Sequence, residues 1–273
     1  MPALTAAKLT VRYSVYGSQG LREQVQDIVL PFEFPPLPPA GQAAWRPCPF
    51  LPGASVLPVR THLLSHLDNP GDVADTYTQG IRQPGDVVVL NESAVAIMQG
   101  RFRNPANIRP SLLARLACRL FAPASSMASA CGLQVLIDLV GVVRTLVALV
   151  AGVIGRVLGR RGVFYEVAGP QARLIDDVSG TLPPFDKVVV LGPIRARETA
   201  EAVARRIGTP CCIVDANDLH RVDVIGSSAG VDPSLIERAL QHNPAGNADE
   251  RTPIVLIRAA GKGGQHVEGD VRP

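Results

Sequence analysis

KVVVLGPIRARETAEAVARRIGTPCCIVDANDLHRVDVI, residues 187–225, is the stretch that decides the fold, because strand-like and helix-like segments alternate along it. Apolar runs bounded by turn residues predict strands, and amphipathic runs closed by glycine predict helices. The alternation continues beyond residue 225 to about residue 257. Strands are predicted at 187–191, 211–214, 222–225 and 252–257, and helices at 195–207 and 232–241. This order predicts an α+β fold in which mixed sheets are covered by helices.

Upstream of this stretch the pattern is less regular, and it suggests three regions. Residues 1–57 contain a strand at 8–17 and a connector with eight prolines between positions 31 and 52, which excludes helix and central strand there. Residues 58–258 form the main α+β domain, with further helices predicted at 71–80 and 111–121 and a strand at 86–90. Residues 259–273 are Gly-rich and polar and predict a flexible tail.

Composition excludes several classes of protein. With 47% apolar and 19% charged residues, the chain of 273 residues is not intrinsically disordered. A net charge of +3 gives no electrostatic case for nucleic acid as a partner. Five cysteines without a Cys-x-x-Cys pair predict neither a zinc site nor a disulfide framework. Together with a start that lacks a signal peptide, this favours the cytoplasm.

One segment raises the question of a membrane. Residues 133–158 read LQVLIDLVGVVRTLVALVAGVIGRVL, but charged residues leave only 11 uncharged positions in a row, from 145 to 155, whereas a spanning helix needs about 20. Small or polar residues recur along one stripe of this helix: Gln134, Asp138, Gly141, Thr145, Ala148 and Gly152. We therefore predict a buried helix, broken near Gly141 or Gly152, with membrane association as the alternative.

Oxygen-bearing side chains that follow strand-like runs are candidate ligands for Mg²⁺ or Mn²⁺. Asp176 and Asp177 form one such group, and Asp215, Asn217 and Asp218 form the other. Asp and Asn also stabilise turns through their own backbone, which is the alternative for both groups.

A polar loop at 243–253, NPAGNADERTP, is longer than a plain connection requires. Asn243, Gly246, Asn247 and Arg251 are its candidate contacts to an anionic ligand, while a solvated connection is the alternative. An arginine group can also meet an anion or remain solvated: Arg101, Arg103, Arg109, Arg115 and Arg119. His62 and His66 lack the glutamate of a zinc protease motif.

Several motifs, taken in order, resemble one known family. QPGDVVVLNES at 83–93, with the preceding residues from Thr61 and the following Gln99-Gly100-Arg101, resembles the coenzyme F-420-0:L-glutamate ligases. Val163-Phe164-Tyr165, residues 214–218 and residues 243–253 resemble a ligase-like branch of that family. Residues 229–235 resemble an Ala-Gly-x-Asp-x-Ser-Asn motif of that family, but Leu235 stands in place of its asparagine. No Asp-Thr or Gly-Arg-Pro segment follows.

The resemblance implies a fold of two intertwined subregions, a homodimer, GTP as co-substrate, and Mg²⁺ or Mn²⁺. It implies that L-glutamate is joined to F-420-0 or a related phosphorylated acid, with Glu92 and Arg101 contacting nucleotide or substrate. A ligand-binding or regulatory relative of the same fold is the alternative function.

Overall fold

The computed structural model describes residues 4–18, 20–37, 43–123, 125–176, 182–217, 220–246 and 250–259, and these residues form an α+β fold. The strands are β1 (Ala6–Gly17), β2 (Gly20–Pro31), β3 (Arg46–Pro47), β4 (Ser55–Val59), β5 (Asp86–Asn91), β6 (Phe102–Arg103), β7 (Val189–Val190), β8 (Cys211–Ala216), β9 (Val222–Ser227) and β10 (Ile254–Arg258). The helices are α1 (Pro70–Thr78), α2 (Glu92–Met98), α3 (Leu112–Ala117), α4 (Ala130–Val140), α5 (Val142–Val157), α6 (Val163–Ala168), α7 (Ala196–Ile207) and α8 (Pro233–Leu240).

The chain divides into two compact units, each assembled from three separate segments. The first unit takes the described parts of Met1–Pro35, His62–Pro70 and Glu92–Arg195. The second takes those of Pro36–Thr61, Gly71–Asn91 and Ala196–Pro273. The predicted boundary between residues 57 and 58 lies inside the second unit, and nearly all of the predicted tail, from residue 260, lies outside the described residues.

A six-stranded mixed sheet forms the second unit, in the order β3-β4-β10-β5-β8-β9. Only the β5–β8 pair is parallel, and the other four pairs are antiparallel. The central strands are almost entirely buried, as continuous apolar runs predict. The Pro-rich connector behaves as predicted at 32–37 and 43–45, which form neither helix nor strand, and Pro47 lies on the edge strand β3.

Two helices predicted from sequence cover this sheet. Helix α7 packs against β8 and β9, and Gly226 of β9 permits this because a Cβ there would lie 2.5 Å from the backbone of Ala196. Helix α8 packs against β9, and its Ile236 joins the core formed with Cys212 and Val255. The capping residue of α8 is Asp232, whose carboxylate accepts a hydrogen bond from Ser234 N at 3.0 Å.

An ion pair joins the neighbouring strands β5 and β10. Asp86 is 1% exposed, and Arg258 directly opposite donates to it from Nε at 2.7 Å and from Nη2 at 2.8 Å. The guanidinium of Arg258 also lies 4.1 Å from the ring centroid of Trp45. The hydrogen bonds that Arg258 donates to Asp86 raise the pKa of Arg258, so the guanidinium keeps its proton.

A hairpin of β1 and β2 begins the first unit. The predicted strand at 8–17 is confirmed, and its partner strand 20–31 was not predicted. The hairpin is anchored at Asp27, which accepts hydrogen bonds from Thr10 at 2.8 Å and Asn104 at 2.7 Å. The strand predicted at 187–191 is shorter than expected, and β7 pairs with β6 in this unit rather than joining the main sheet.

The apolar segment 133–158 forms two helices, and only one of them is buried as predicted. The chain breaks at Gly141, whose φ of +85° favours glycine, and α4 and α5 meet at 119°. Helix α4 buries Leu133, Val135, Leu136 and Ile137. The prediction of burial is wrong for α5, because its small residues face inward and most of its large apolar residues are exposed. Within the described residues no single helix is long and apolar enough to cross a membrane. Helices α4 and α5 reach that length and apolar composition only when they are counted together.

Replacing Arg258 with Met should destabilise the protein by about 3–5 kcal/mol, because it leaves the buried Asp86 carboxylate without its countercharge. Urea denaturation measures the change. The matched control is Arg197→Met, which breaks an exposed i,i+4 pair with Glu201 and should cost about 0.3–0.5 kcal/mol. Equal losses in the two variants would show that burial of Asp86 adds nothing.

Candidate functional site

Two carboxylates and one hydroxyl group meet in the first unit, where α2 begins. Glu92 is the first residue of α2 and is 3% exposed. Ser93 Oγ lies 3.0 Å from Glu92 Oε2 and 3.1 Å from Asp176 Oδ2. The backbone of Asp176 is fixed by two hydrogen bonds of 2.9 Å that it exchanges with Val190. We call Glu92, Ser93 and Asp176 the Glu92 cluster.

Ser93 cannot satisfy both carboxylates of the Glu92 cluster at once. A serine hydroxyl carries one proton and can donate one hydrogen bond. The second carboxylate then faces a lone pair of the Ser93 oxygen, and a cation shared between these oxygens would relieve that repulsion. Carboxylate and hydroxyl oxygens are ligands suited to Mg²⁺ and Mn²⁺. The donor set therefore fits a hard divalent cation, which Glu92 and Asp176 would hold with help from Ser93.

Arg101, also in the first unit, organises the chain after β7. Its Nε donates to Gly192 O and its Nη2 donates to Gln171 Oε1, both at 3.2 Å. Its backbone carbonyl accepts from Leu191 N at 2.8 Å. Burial, and secondarily the nearby charge of Arg103, lowers the pKa of Arg101. These contacts make Arg101 a positioning residue for the segment 191–194, and its contact with a nucleotide stays a prediction.

Asp215 and Asn217 lie in the second unit, where β8 turns into β9. Asp215 pairs across the sheet with Asp223, which accepts from Arg221 at 2.7 Å. Burial is the main cause that raises the pKa of Asp215, Asp223 adds to it, and Arg221 partly offsets it. Asn217 closes the turn, since its N–H donates to Arg221 O and its carbonyl accepts from His220 N, both at 3.1 Å. The described contacts of Asn217 are therefore those of turn chemistry.

Backbone hydrogen bonds hold the described parts of the polar loop, residues 243–246 and 250–253. Asn243 N donates to Leu240 O at 2.8 Å, and Gly246 N donates to Asn243 O at 3.1 Å. Gly246 has a φ of +68°, and a Cβ at this position would collide with the carboxylate of Glu250. An anion beside Gly246 would meet that carboxylate. The carbonyl of Arg251 accepts from Thr61 N at 3.0 Å.

The predicted site residues divide between the two units. Glu92, Arg101 and Asp176 belong to the first unit, and the structure brings Glu92 and Asp176 together. The second unit contains the others that are described: Asp215, Asn217, Asn243, Gly246 and Arg251. Asp177, Asp218 and Asn247 lie outside the described residues. Among the residues that the structure describes, no three His, Cys, Asp or Glu side chains group as metal ligands.

Sequence reasoning missed Ser93, although it lies beside Glu92 in the motif 83–93. The serine became informative only when the fold placed Asp176, 83 positions away, within reach of its hydroxyl. The adjacent Cys211 and Cys212 are free buried thiols, and burial raises the pKa of Cys211 to about 12. They are therefore core residues rather than nucleophiles.

No protein-family model matches the chain, and no curated protein is significantly similar to it.

Replacing Asp215 with Asn should stabilise the protein at neutral pH. Because the pKa of Asp215 is raised from 3.8 in the folded state, the folded protein binds this proton more tightly than the unfolded chain does. Stability of the wild type is therefore lost as the pH rises from the ordinary pKa through the raised one, and the variant lacks this loss. We expect the free energy of unfolding to rise by about 0.2–1 kcal/mol at neutral pH and to be unchanged below the ordinary pKa of an aspartate. Urea denaturation at neutral pH and at a pH below that pKa measures both effects.

The same variant tests the predicted metal role of Asp215. A metal ligand would lose Mn²⁺ affinity in titration calorimetry when its carboxylate becomes an amide. Unchanged Mn²⁺ affinity combined with higher stability would remove Asp215 from the set of candidate ligands.

Proposed function

We propose that this protein is a GTP- and divalent-metal-dependent ligase that joins L-glutamate to coenzyme F-420-0 or a related phosphorylated acid. The proposal includes the F-420 glutamate ligase fold, a cytoplasmic location and a homodimer. Its support from sequence is the order of the motifs at 83–101, 163–165, 214–218 and 243–253. The structural observation that carries it is the Glu92 cluster, whose two carboxylates share one hydroxyl group.

The reaction has two steps that balance without a redox partner. A carboxylate oxygen of the acid attacks the γ-phosphorus of GTP, which releases GDP and leaves an acyl phosphate. The amino group of glutamate then attacks the acyl carbon, so that an amide bond forms while phosphate and a proton leave. A bound divalent cation supplies charge neutralisation on the phosphate oxygens.

The residues of the Glu92 cluster have separate roles in this proposal. Glu92 and Asp176 provide the carboxylates that hold the cation, and burial of Glu92 strengthens its electrostatic interaction by excluding water. Ser93 Oγ lies between the two carboxylates, 3.0 Å from Glu92 and 3.1 Å from Asp176, and helps to orient them. Arg101 holds the segment that follows β7, and Val190 at the end of β7 fixes the backbone of Asp176. The chain thus positions both carboxylates through rigid backbone rather than through a free loop.

Asp176→Asn should weaken Mn²⁺ binding about 10–100-fold, because it removes one of the two charges that attract the cation. Ser93→Ala should weaken binding less, since both carboxylates remain while their orientation loosens. Titration calorimetry with Mn²⁺, alone and with GTP, measures both effects. Release of phosphate together with a mass increase of F-420-0 by one glutamate residue measures the reaction.

The control for these variants is Asp138→Asn, which neutralises another carboxylate of the same unit, paired with Arg103 and 40% exposed. It should leave Mn²⁺ affinity and product formation unchanged. Equal Mn²⁺ affinity in Asp176→Asn and wild type would exclude the Glu92 cluster as the metal site. Binding of Mn²⁺ and GTP without amide formation would instead identify a ligand-binding relative.

A further inference from the structure

Helix α5 exposes a continuous apolar face. Nine large apolar side chains on the helix and at its end are between 44% and 81% exposed: Val142, Val143, Leu146, Val147, Val150, Val153, Ile154, Val157 and Leu158. At 3.6 residues per turn, the eight within the helix fill an arc of about 140°, and every residue in that arc is apolar. We call this surface the α5 face. Single exposed apolar residues are ordinary, but a contiguous patch of this kind marks an interaction site.

The opposite side of α5 packs against α6. Thr145, Ala148 and Leu149 are buried there. A Cβ on Gly152 would lie 2.9 Å from Phe164 Cβ, so the two helices approach too closely for a side chain. The exposed apolar face is therefore the outward consequence of a tight inward contact, and nothing within the first unit covers it among the described residues.

Arginines border the α5 face, and no acidic residue lies on the helix. Arg144 and Arg156 lie on either side of the apolar arc, and Arg160 and Arg161 follow its end. Arg144 donates to Val167 O at 2.9 Å, which holds it at the edge of the helix. Residues 101–173 contain ten arginines and no lysine against Asp138 and Glu166, a net charge of +8, whereas the whole chain carries +3.

A groove continues the α5 face beyond the end of the helix. It has a volume of about 570 Å³, with Phe121, Leu149 and Val153 among its apolar lining and Arg156, Arg160 and Arg161 among its cationic lining. Helix α3 and the helical turn Cys118–Leu120 that follows it add a second exposed apolar stripe, formed by Leu112, Leu116 and Leu120. The same segment carries Arg115 and Arg119. The combination suits a ligand with anionic groups attached to apolar chains.

We propose that the α5 face binds the anionic phospholipid surface of a bilayer, with α5 lying in the plane of the membrane. The apolar arc enters the boundary between headgroups and acyl chains, as in other amphipathic interfacial helices. The arginines at its edges pair with lipid phosphates, for which the guanidinium fork is well suited. A second copy of this chain is a poorer occupant, because its own α5 would bring arginines against arginines without a carboxylate to pair them.

Sedimentation of the full chain with vesicles tests the proposal. We expect it to bind vesicles of phosphatidylcholine containing phosphatidylglycerol, to bind pure phosphatidylcholine weakly, and to be released by salt. Val150→Asp places a charge at the centre of the arc and should abolish binding. Arg160→Gln combined with Arg161→Gln should weaken it about 30-fold, at about 1 kcal/mol for each arginine.

Matched controls distinguish binding through the α5 face from non-specific adsorption to vesicles. Tyr16→Asp changes an exposed apolar residue of the β1–β2 hairpin, 84% exposed, and should leave vesicle binding unchanged. Arg205→Gln with Arg206→Gln removes an adjacent arginine pair from α7 in the second unit and should also leave it unchanged. Thermal melting confirms that each variant is folded. Val150→Gln, which introduces a better helix former, replaces Val150→Asp if that variant does not fold.

Three outcomes overturn the proposal. The first is no binding to anionic vesicles at low salt. The second is vesicle binding that persists in the folded Val150 variant, or that is lost in the control variants as well. The third is a dimer in analytical ultracentrifugation that Val150→Asp dissociates, which would assign the α5 face to a second copy of the chain.

Discussion

The ion pair between Asp86 and Arg258 is the constraint on which the main sheet depends. Strand β10 lies between β4 and β5, although the three strands are far apart in sequence. Their apolar runs are buried on both faces, so hydrophobic burial alone barely distinguishes one register from its neighbours. A slip of one residue would separate Arg258 from Asp86 and leave a carboxylate buried without a countercharge. The pair therefore selects the register that apolar burial leaves open.

Local patterns predicted the elements of this sheet well, and non-local pairing was the part they could not supply. Helices α7 and α8 and strands β8, β9 and β10 fall within a few residues of their predicted bounds, because turn residues delimit each segment. The partner of β1 was missed, since 20–31 runs into the Pro-rich connector and lacks a clear alternation. Strand β7 was predicted as part of the main sheet, but its partner is β6, and no local signal indicates a partner 86 to 88 positions upstream.

The candidate site shows the same limit at the level of side chains. Acidic residues after strands were recognisable, and Asp176 does meet Glu92 through Ser93. The serine carried no signal in the sequence, because its importance arises from sharing one proton between carboxylates that are distant along the chain. Asp215 looked equivalent to Asp176 in sequence, yet it faces Asp223 across the strands, and Arg221 offsets that repulsion only in part. Equal motifs thus acquire different electrostatics from different neighbours.

The exposure of the large apolar side chains of α5 follows from the lack of space beside α6 rather than from the composition of the helix. The sequence predicted a buried helix, but only the side of α5 that carries its small residues is buried, against α6. Rotating the helix to bury Val150 would bring valine and leucine side chains to the position where even a Cβ on Gly155 would lie 2.6 Å from Val163. The interface with α6 is too close to accept that bulk. The described residues of the first unit therefore cannot relieve the exposed α5 face by internal repacking, and cover for those side chains has to come from elsewhere.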